Sequence, residues 1–594
     1  MKNVSKLAVL ALVAGMALPA GVQAADEGLM KKIEQLSVEL EQLRNQVKAN
    51  EEKAAKSADE QKKQGTKSEA KEIVDLKAQV KKIEDKSIGR WLTIGGDYRF
   101  RVDSLHGKTV AYTDPNRMFA NVGGLLQAEA FSLGMGVGSL GMPAGPALAA
   151  FMNFGNTMKR TNTYAGAKAF LNPATNPLVG AMGTLAPYGA VDAFKPKNET
   201  LYTNKFGLDL TAKATQNITV HAKLGMYKTF GSQDDSQVTG NYFADRVGVF
   251  DGTLGHIPSD SYLNVDRAYA TWSNIFDQPL WFSVGRRPST DGAPSNLKLN
   301  TERPGNGGVP SLMVNYAYDG MTIGYAPDID LLPGAYAKIC YGRGFDNGIK
   351  NATNSIKDMD MMGIIVNPID TDPLRVWLQW NHAFDLLDFP VMNNTAFGNT
   401  APSTNLGEID WIGAGALSTL KNVGPGSLNF FTDVALSMTH PNNNVSGQAG
   451  FQGLLTGEFF NPEAPKDKTG WAVSAGVRYD LPSKTKIGFE FNHGSKDWIT
   501  MAFAADDMWT SKIGTRGNVY EPYIIQELDL KPISSYFSKA FFKIGYQYYD
   551  FEYTGSNNWV GAPKKISDIK PTDFMLMAPV KEAHDVYATF EVKF

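Results

Sequence analysis

The chain has 594 residues, 43% hydrophobic and 20% charged, and its 58 Lys and Arg against 61 Asp and Glu leave a formal charge of -3. So mild a balance excludes a protein organised around nucleic acid or an acidic membrane surface. Cys340 is the one cysteine, which excludes an intramolecular disulfide and covalent attachment of c-type haem.

Residues 1–24 read as a secretory signal peptide: Lys2 and Lys6, an apolar run from Leu7 to Leu18, Pro19, and a small-residue cleavage site at Val22-Gln23-Ala24. The apolar run is too short to span a membrane, and no cysteine follows to take a lipid. A mature chain beginning near Ala25, in the periplasm or beyond, is expected.

Residues 25–88 are predicted to be a short α-helical coiled coil. Leu29, Ile33, Leu36, Leu40, Leu43 and Val47 are spaced 4, 3, 4, 3, 4, the heptad pattern. The pattern lapses through a charged linker, 51–71, and resumes at Ile73, Leu76, Val80 and Ile83. So few heptads are marginal alone, which points to self-association as a homotrimer; a solvated single helix is the alternative.

From Trp91 the period changes to 2 and holds to the last residue. In LTIGGDYRFRVD, Leu92, Ile94, Tyr98, Phe100 and Val102 alternate with Asp97, Arg99, Arg101 and Asp103. Phe206 to Ala214 and Ile218 to Met226 form a hairpin across Thr215-Gln216-Asn217, and Trp471 to Leu481 and Ile487 to His493 repeat the unit. Further strands are predicted at Val265–Trp272, Leu280–Arg287, Ala335–Gly342, Asp358–Asn367, Leu374–Phe384, Glu408–Leu417, Leu428–Met438, Val519–Leu530, Phe541–Tyr553 and Asp585–Phe594.

Many dyad-patterned strands of about ten residues, joined alternately by short turns and long polar loops, define an all-β fold: a transmembrane antiparallel β-barrel of about 16 strands (14–18) over residues 89–594. A soluble β-sandwich or β-helix is the rival. The alternating terminal strand VYATFEVKF argues against it, because a strand ending the chain frays unless paired; the first strand is the expected partner. Asp319-Gly320 would ordinarily mark a two-residue hairpin turn. A turn there would put every later loop on the wrong side, so one strand from Leu312 to Tyr325 with a bulge is expected.

An Arg on the lipid face near the bilayer midplane costs about 2–4 kcal/mol, so the charged face belongs to the lumen. The predicted pore-lining residues are Asp97, Arg99, Arg101, Lys205, Asp209, Lys213, Lys223, Arg287, Arg375, Asp433, Arg478, Glu490 and Lys543. Their interspersed signs predict a weakly selective aqueous pore.

The long first loop, 104–203, carries an apolar stretch from Ala120 to Phe154 whose single charge is Glu129. A segment of this kind does not stand in water. It is expected to fold into the barrel mouth as a plug or constriction, or to pack against neighbouring subunits.

Motifs for chemistry are weak. Gly136-Val137-Gly138-Ser139-Leu140-Gly141 fits GxGxxG but lacks the preceding strand and βαβ unit. The seven histidines are scattered without metal spacing and read as lumen or loop residues. Asp358-Met359-Asp360 and Asp370-Thr371-Asp372 lack the Gly and Glu of a calcium loop. No catalytic, cofactor or metal residue is predicted.

IGFEFNHGSKDW (Ile487 to Trp498), GNVYEPYIIQELDL (Gly517 to Leu530) and FFKIGYQYYDFEYTGS (Phe541 to Ser556) resemble a bacterial family of unknown function regarded as outer-membrane porins, and TIGGDYRFR and VGRRPS resemble general porin idiom. The resemblance covers most of residues 90–594. It implies a barrel in the outer membrane of a Gram-negative bacterium and passage of solutes, with Phe594 read by the barrel-assembly machinery. Some porin-like barrels sheath multihaem cytochromes in electron conduits, so an insulating barrel around a cytochrome or other periplasmic partner is the second expectation.

Overall fold

The computed structural model describes residues 91–231, 258, 261–288, 297–300, 312–349, 356–389, 392–395, 398–400, 402–502, 507–528 and 539–594, together with Gln42, Asn45 and Gln46, which are helical and exposed. The signal peptide, and the coiled coil apart from those three residues, lie outside the described part.

Sixteen antiparallel strands close into a barrel in chain order. They are β1 (Leu92–Thr109), β2 (Lys197–Lys213), β3 (Ile218–Thr229), β4 (Asn264–Trp272), β5 (Leu280–Pro288), β6 (Ala317–Tyr325), β7 (Tyr336–Phe345) and β8 (Met359–Asp370). There follow β9 (Arg375–Leu387), β10 (Asn405–Val423), β11 (Gly426–Pro441), β12 (Lys468–Asp480), β13 (Thr485–Gly494), β14 (Gly517–Glu527), β15 (Lys539–Phe551) and β16 (Val580–Lys593). The expected count and pairing hold. β1 meets β16 with Tyr98 opposite Val592 and Val102 opposite Ala588. Two backbone hydrogen bonds between Gly96 and Phe594, 2.7 and 3.0 Å, seal the seam.

Connections alternate as the pattern required. One end carries the turns 214–217, 273–279, 326–335, 371–374, 424–425 and 481–484; the other carries the long connections 110–196, 442–467 and 552–579. Outward side chains between the two ends are apolar and exposed, among them Val220, Ile339, Ile364, Leu378, Ile412, Val434, Val477, Ile524, Ile544 and Val586. Exposed aromatics edge this band: Trp272, Tyr325 and Phe542 toward the short turns, Phe384, Trp471 and Tyr520 toward the long loops. An apolar belt with aromatic edges is stable against hydrocarbon, not water.

Above the belt the outward face turns polar. Arg286 meets Asp319 at 3.7 Å, Arg343 meets Asp358 at 2.9 Å and Asp360 at 2.5 Å, and Asp410 accepts from His382 and His440 at 2.9 and 3.1 Å. The histidines expected in lumen or loops are therefore placed differently. His106, His382, His440, His493 and His584 lie on outward strand positions near the long loops, whereas His221 points inward and stacks on Tyr269; His256 is outside the described residues.

The expected bulge at Asp319-Gly320 does not form. β6 begins at Ala317 and pairs through Asp319, Gly320 and Met321 without a register shift. The phase changes because Leu312 to Tyr316 leave the wall and enter the interior, where Val314-Asn315 pairs in parallel with Met501-Ala502.

The apolar first loop is helical. It folds into α1 (Pro115–Leu133), α2 (Ala144–Arg160), α3 (Tyr164–Phe170) and α4 (Pro177–Leu185). Asp114 caps α1, accepting from the Asn116 and Arg117 amides at 2.8 and 3.2 Å, with Pro115 at the first helical position. Met118, Val122, Phe151, Phe154 and Met158 bury one face of this helical cap against Val445, Phe451, Phe460 and Phe574 of the long loops. Among the described residues, that core joins the segment to the long loops.

Candidate functional site: the barrel interior

The dyad rule places all thirteen predicted pore-lining residues on the inward phase of their strands, but the structure divides them into two environments. Asp97, Lys205, Asp209, Lys213, Lys223 and Arg287, on β1 to β5, keep solvent exposure. Arg99, Arg101, Arg375, Asp433, Arg478, Glu490 and Lys543 are buried, at 0–6% exposure, and so do not line open water.

What buries them is chain. Residues 297–300 and 312–316, between β5 and β6, and 495–502 and 507–516, between β13 and β14, fold into the interior. Trp411 Nε1 donates to the Ile499 carbonyl (2.9 Å), Trp498 Nε1 to the Ile513 carbonyl (2.8 Å) and Trp509 Nε1 to the His584 carbonyl (3.0 Å). Met508 and Trp509 pack with Leu105, Leu201, Val519, Tyr549 and Ala583, which lie on five neighbouring strands of the wall. Pinning an inserted loop by indole N–H donors satisfies its carbonyls away from water.

A charge network locks the insertion. Lys298 Nζ reaches Asp507 and Glu521, each at 3.0 Å, and Lys512 Nζ contacts both Glu490 and Glu521. Tyr587 donates to Glu521 at 2.8 Å, the Lys298 amide to Glu490 at 3.2 Å and the Lys512 amide to Asp507 at 2.9 Å. Burying so many charges is tolerable only because each carboxylate collects several donors. Beside this network Arg101 bridges Asp103 (2.6 Å) and Asp585 (2.8 Å), and Arg478 donates to the Leu297 carbonyl.

Toward the short turns the interior is wetter. Lys223 meets Asp97 at 3.2 Å and Asp209 at 3.3 Å, with side-chain exposures of 25%, 29% and 50%. Lys205 and Arg99 both lie over the Tyr227 ring, 5.6 and 5.3 Å from its centroid. On the strands that adjoin β1 from the other side, Glu527 receives Lys486 at 2.8 Å and Lys539 at 2.6 Å, and Lys543 meets Glu591 at 3.0 Å. The interior is thus a charged vestibule under a locked insertion.

Lys298, Asp507, Lys512, Glu521, Glu527, Asp585 and Tyr587 escaped the sequence analysis. The strand members among them had a readable signal, because they share the inward phase with Val519, Tyr523, Ile525 and Phe541. Apolar residues on both faces of a strand mean a filled interior. The inserted loops carry no periodicity and offered none. Among the described residues, no group of three His, Cys, Asp or Glu side chains is arranged to hold a metal ion, and no helix is long and apolar enough to cross a membrane.

No curated protein matches the chain. Among solved structures, an anion-selective porin from Comamonas acidovorans aligns at 11% identity over 85% of this chain and 99% of its own, with a TM-score of 0.36. OprB of Pseudomonas putida aligns at 10% over 88% and 97%, with a TM-score of 0.36, and the outer-membrane protein OmpT of Vibrio cholerae at 10% over 85% and 100%, with a TM-score of 0.33. Residues 195–594 match the family described as a protein of unknown function, DUF3373, and the chain belongs to that family.

Proposed function

We propose that the protein is an outer-membrane porin that passes small hydrophilic solutes or ions through a narrow route past the inserted loops. The observation that carries this reading is the closed wall with an apolar exposed outside and a charged inside, which is the economy of a barrel joining two aqueous phases through hydrocarbon. In this reading the heptads at 29–47 trimerise the barrel or space it from the cell wall, and Phe594 is the element that the assembly machinery engages. The reading of the barrel as a sheath for a cytochrome is disfavoured by the same interior, because the volume a partner needs holds Lys298, Leu312 to Tyr316 and Asp507 to Arg516. Single-channel recording on purified protein in planar bilayers tests the proposal: discrete, small conductance steps are expected, and their absence in a folded, inserted sample refutes it.

A further inference from the structure

We infer that the passage selects for small anions and that Lys205, Lys223 and Arg267 set this preference. The inference rests on the porin reading and adds to it the class of solute carried.

The charge that matters is the charge that faces water inside the barrel. On β1 to β5 the inward cations with solvent exposure are Lys205, Lys213, Lys223, Arg267 and Arg287; the carboxylates among them are Asp97 and Asp209, with Asp266 largely buried beside Arg267 at 3.3 Å. Five cations thus face three carboxylates. These groups converge. Asp209 and Lys223 are direct cross-strand partners, as are Lys223 and Arg267, so β2, β3 and β4 bring Asp209, Lys223 and Arg267 into one row. Lys205 sits above that row on Tyr227.

The strands that close the barrel against β1 are close to balanced. Arg478 and Lys543 are buried there, which leaves Lys486, Lys539 and Lys593 with solvent exposure against Asp480 and Glu527, with Glu591 largely buried, and Glu527 serves both Lys486 and Lys539. The locked network above contributes little, because Lys298 and Lys512 are matched by Asp507, Glu490 and Glu521 at close range and away from water. The surplus of exposed cations on β1 to β5 holds a positive potential in the passage, and low-dielectric walls focus it.

The ions to be favoured are compact and singly or doubly negative, such as chloride, inorganic phosphate and small carboxylates. A unit charge within about 4 Å of a permeating ion in water changes its local concentration about fivefold, so reversing two such charges is a readable perturbation.

The test is the reversal potential of the full-length protein in a planar bilayer under a potassium chloride gradient. The wild type is expected to favour chloride, K205E/K223E to lose or invert that preference by about fivefold or more, and K205R/K223R to keep it. Lys213→Glu, an exposed position at the short-turn mouth, is the second variant, expected to shift selectivity the same way without touching the ion pairs of Lys223. A wild-type channel that conducts but favours potassium, or is indifferent, overturns the anion inference and leaves the porin reading standing. A folded protein that does not conduct overturns both.

Discussion

Lys512→Met removes one ammonium from the lock and leaves the packing volume nearly unchanged. In the native protein Lys512 Nζ contacts Glu490 and Glu521 in a region where all three side chains are at most 1% exposed. Without it, Glu521 keeps Lys298 and Tyr587, but Glu490 keeps only the Lys298 amide and a 3.4 Å hydrogen bond from Tyr523. Breaking a buried pair by removing one partner costs about 3–5 kcal/mol, because a charge is left uncompensated. That cost falls on the inserted state, since a displaced loop lets Glu490 hydrate. The insertion equilibrium then shifts toward the open form by about two to nearly four powers of ten. Single-channel conductance is expected to rise, and amides of residues 507–516 to exchange faster with deuterium. Lys512→Met combined with Glu490→Gln removes the stranded charge and is expected to recover most of the closed behaviour. If the single variant matches wild type in both conductance and exchange, the network does not hold the insertion and the reasoning fails.

The two environments of the interior make a labelling prediction: in a Cys340→Ser background, cysteines at Thr211 and Thr219, inward and partly exposed, react quickly with a charged thiol reagent, while cysteines at Ser474 and Asn492, buried at 0% and 2%, do not. Val102→Arg turns a charge outward into the apolar belt and is expected to cost up to about 2–4 kcal/mol, read as a lower urea midpoint in vesicles, whereas polar change at the neighbouring rim position Ser104 costs little. Phe154→Ala empties the centre of the helical cap, where Phe154 packs on Phe170 at 4.8 Å, and is expected to destabilise that cap by about 3–5 kcal/mol, seen as proteolysis within 115–189 while the barrel stays intact. Acid should loosen the loop 552–579. Burial opposes ionisation of Asp573, but hydrogen bonds from Lys564 and the Lys570 amide outweigh it and hold the carboxyl below its usual value of 3.8. A depressed native value means the contribution is present above that usual value and is lost as pH falls through the native one. Faster exchange in this loop on acidification, blunted in Asp573→Asn, is the expected result.

The wall was legible because its physics is local. In LTIGGDYRFRVD the two phases separate charges from apolar residues, and the structure places Arg99 and Arg101 inside and Phe100 and Val102 outside. Closure against VYATFEVKF followed from the same alternation plus the need of a terminal strand for a partner. Leu312 to Tyr316 misled for the same reason: an alternating stretch was taken for wall, when Val314 and Tyr316 are buried inside against the inserted loop. Period 2 reports an extended chain between unlike surroundings and does not say which surroundings. The cap shows the complementary limit. Ala120 to Phe154 buries only part of its apolar surface, leaving Phe131 95% and Met135 74% exposed, and the partners of the buried part, Phe451, Phe460 and Phe574, lie some 300 to 450 residues away and carry no mark of the pairing.

The inward phase itself explains why water collects where it does. On β2 and β3 it reads Lys205, Gly207, Asp209, Thr211 and Lys213, then Thr219, His221, Lys223 and Gly225, side chains that need hydration and leave room for it. Across the barrel it includes Trp377, Trp411, Phe431, Tyr523, Phe541 and Tyr549, rings that would be as costly in an aqueous lumen as on any solvated surface. A lumen with one polar and one aromatic wall cannot be uniformly wet. Chain must cover the aromatic wall, and the loops after β5 and β13 supply it: Leu297 packs on Trp377 and Phe431, and Trp509 and Met508 on Tyr549. Once a loop is committed to that wall its own polar groups are buried too, which is why Lys298 and Lys512 meet Glu490, Asp507 and Glu521 there. The route left for solutes is then set by the polar strands, and its charge is theirs and not the barrel's as a whole.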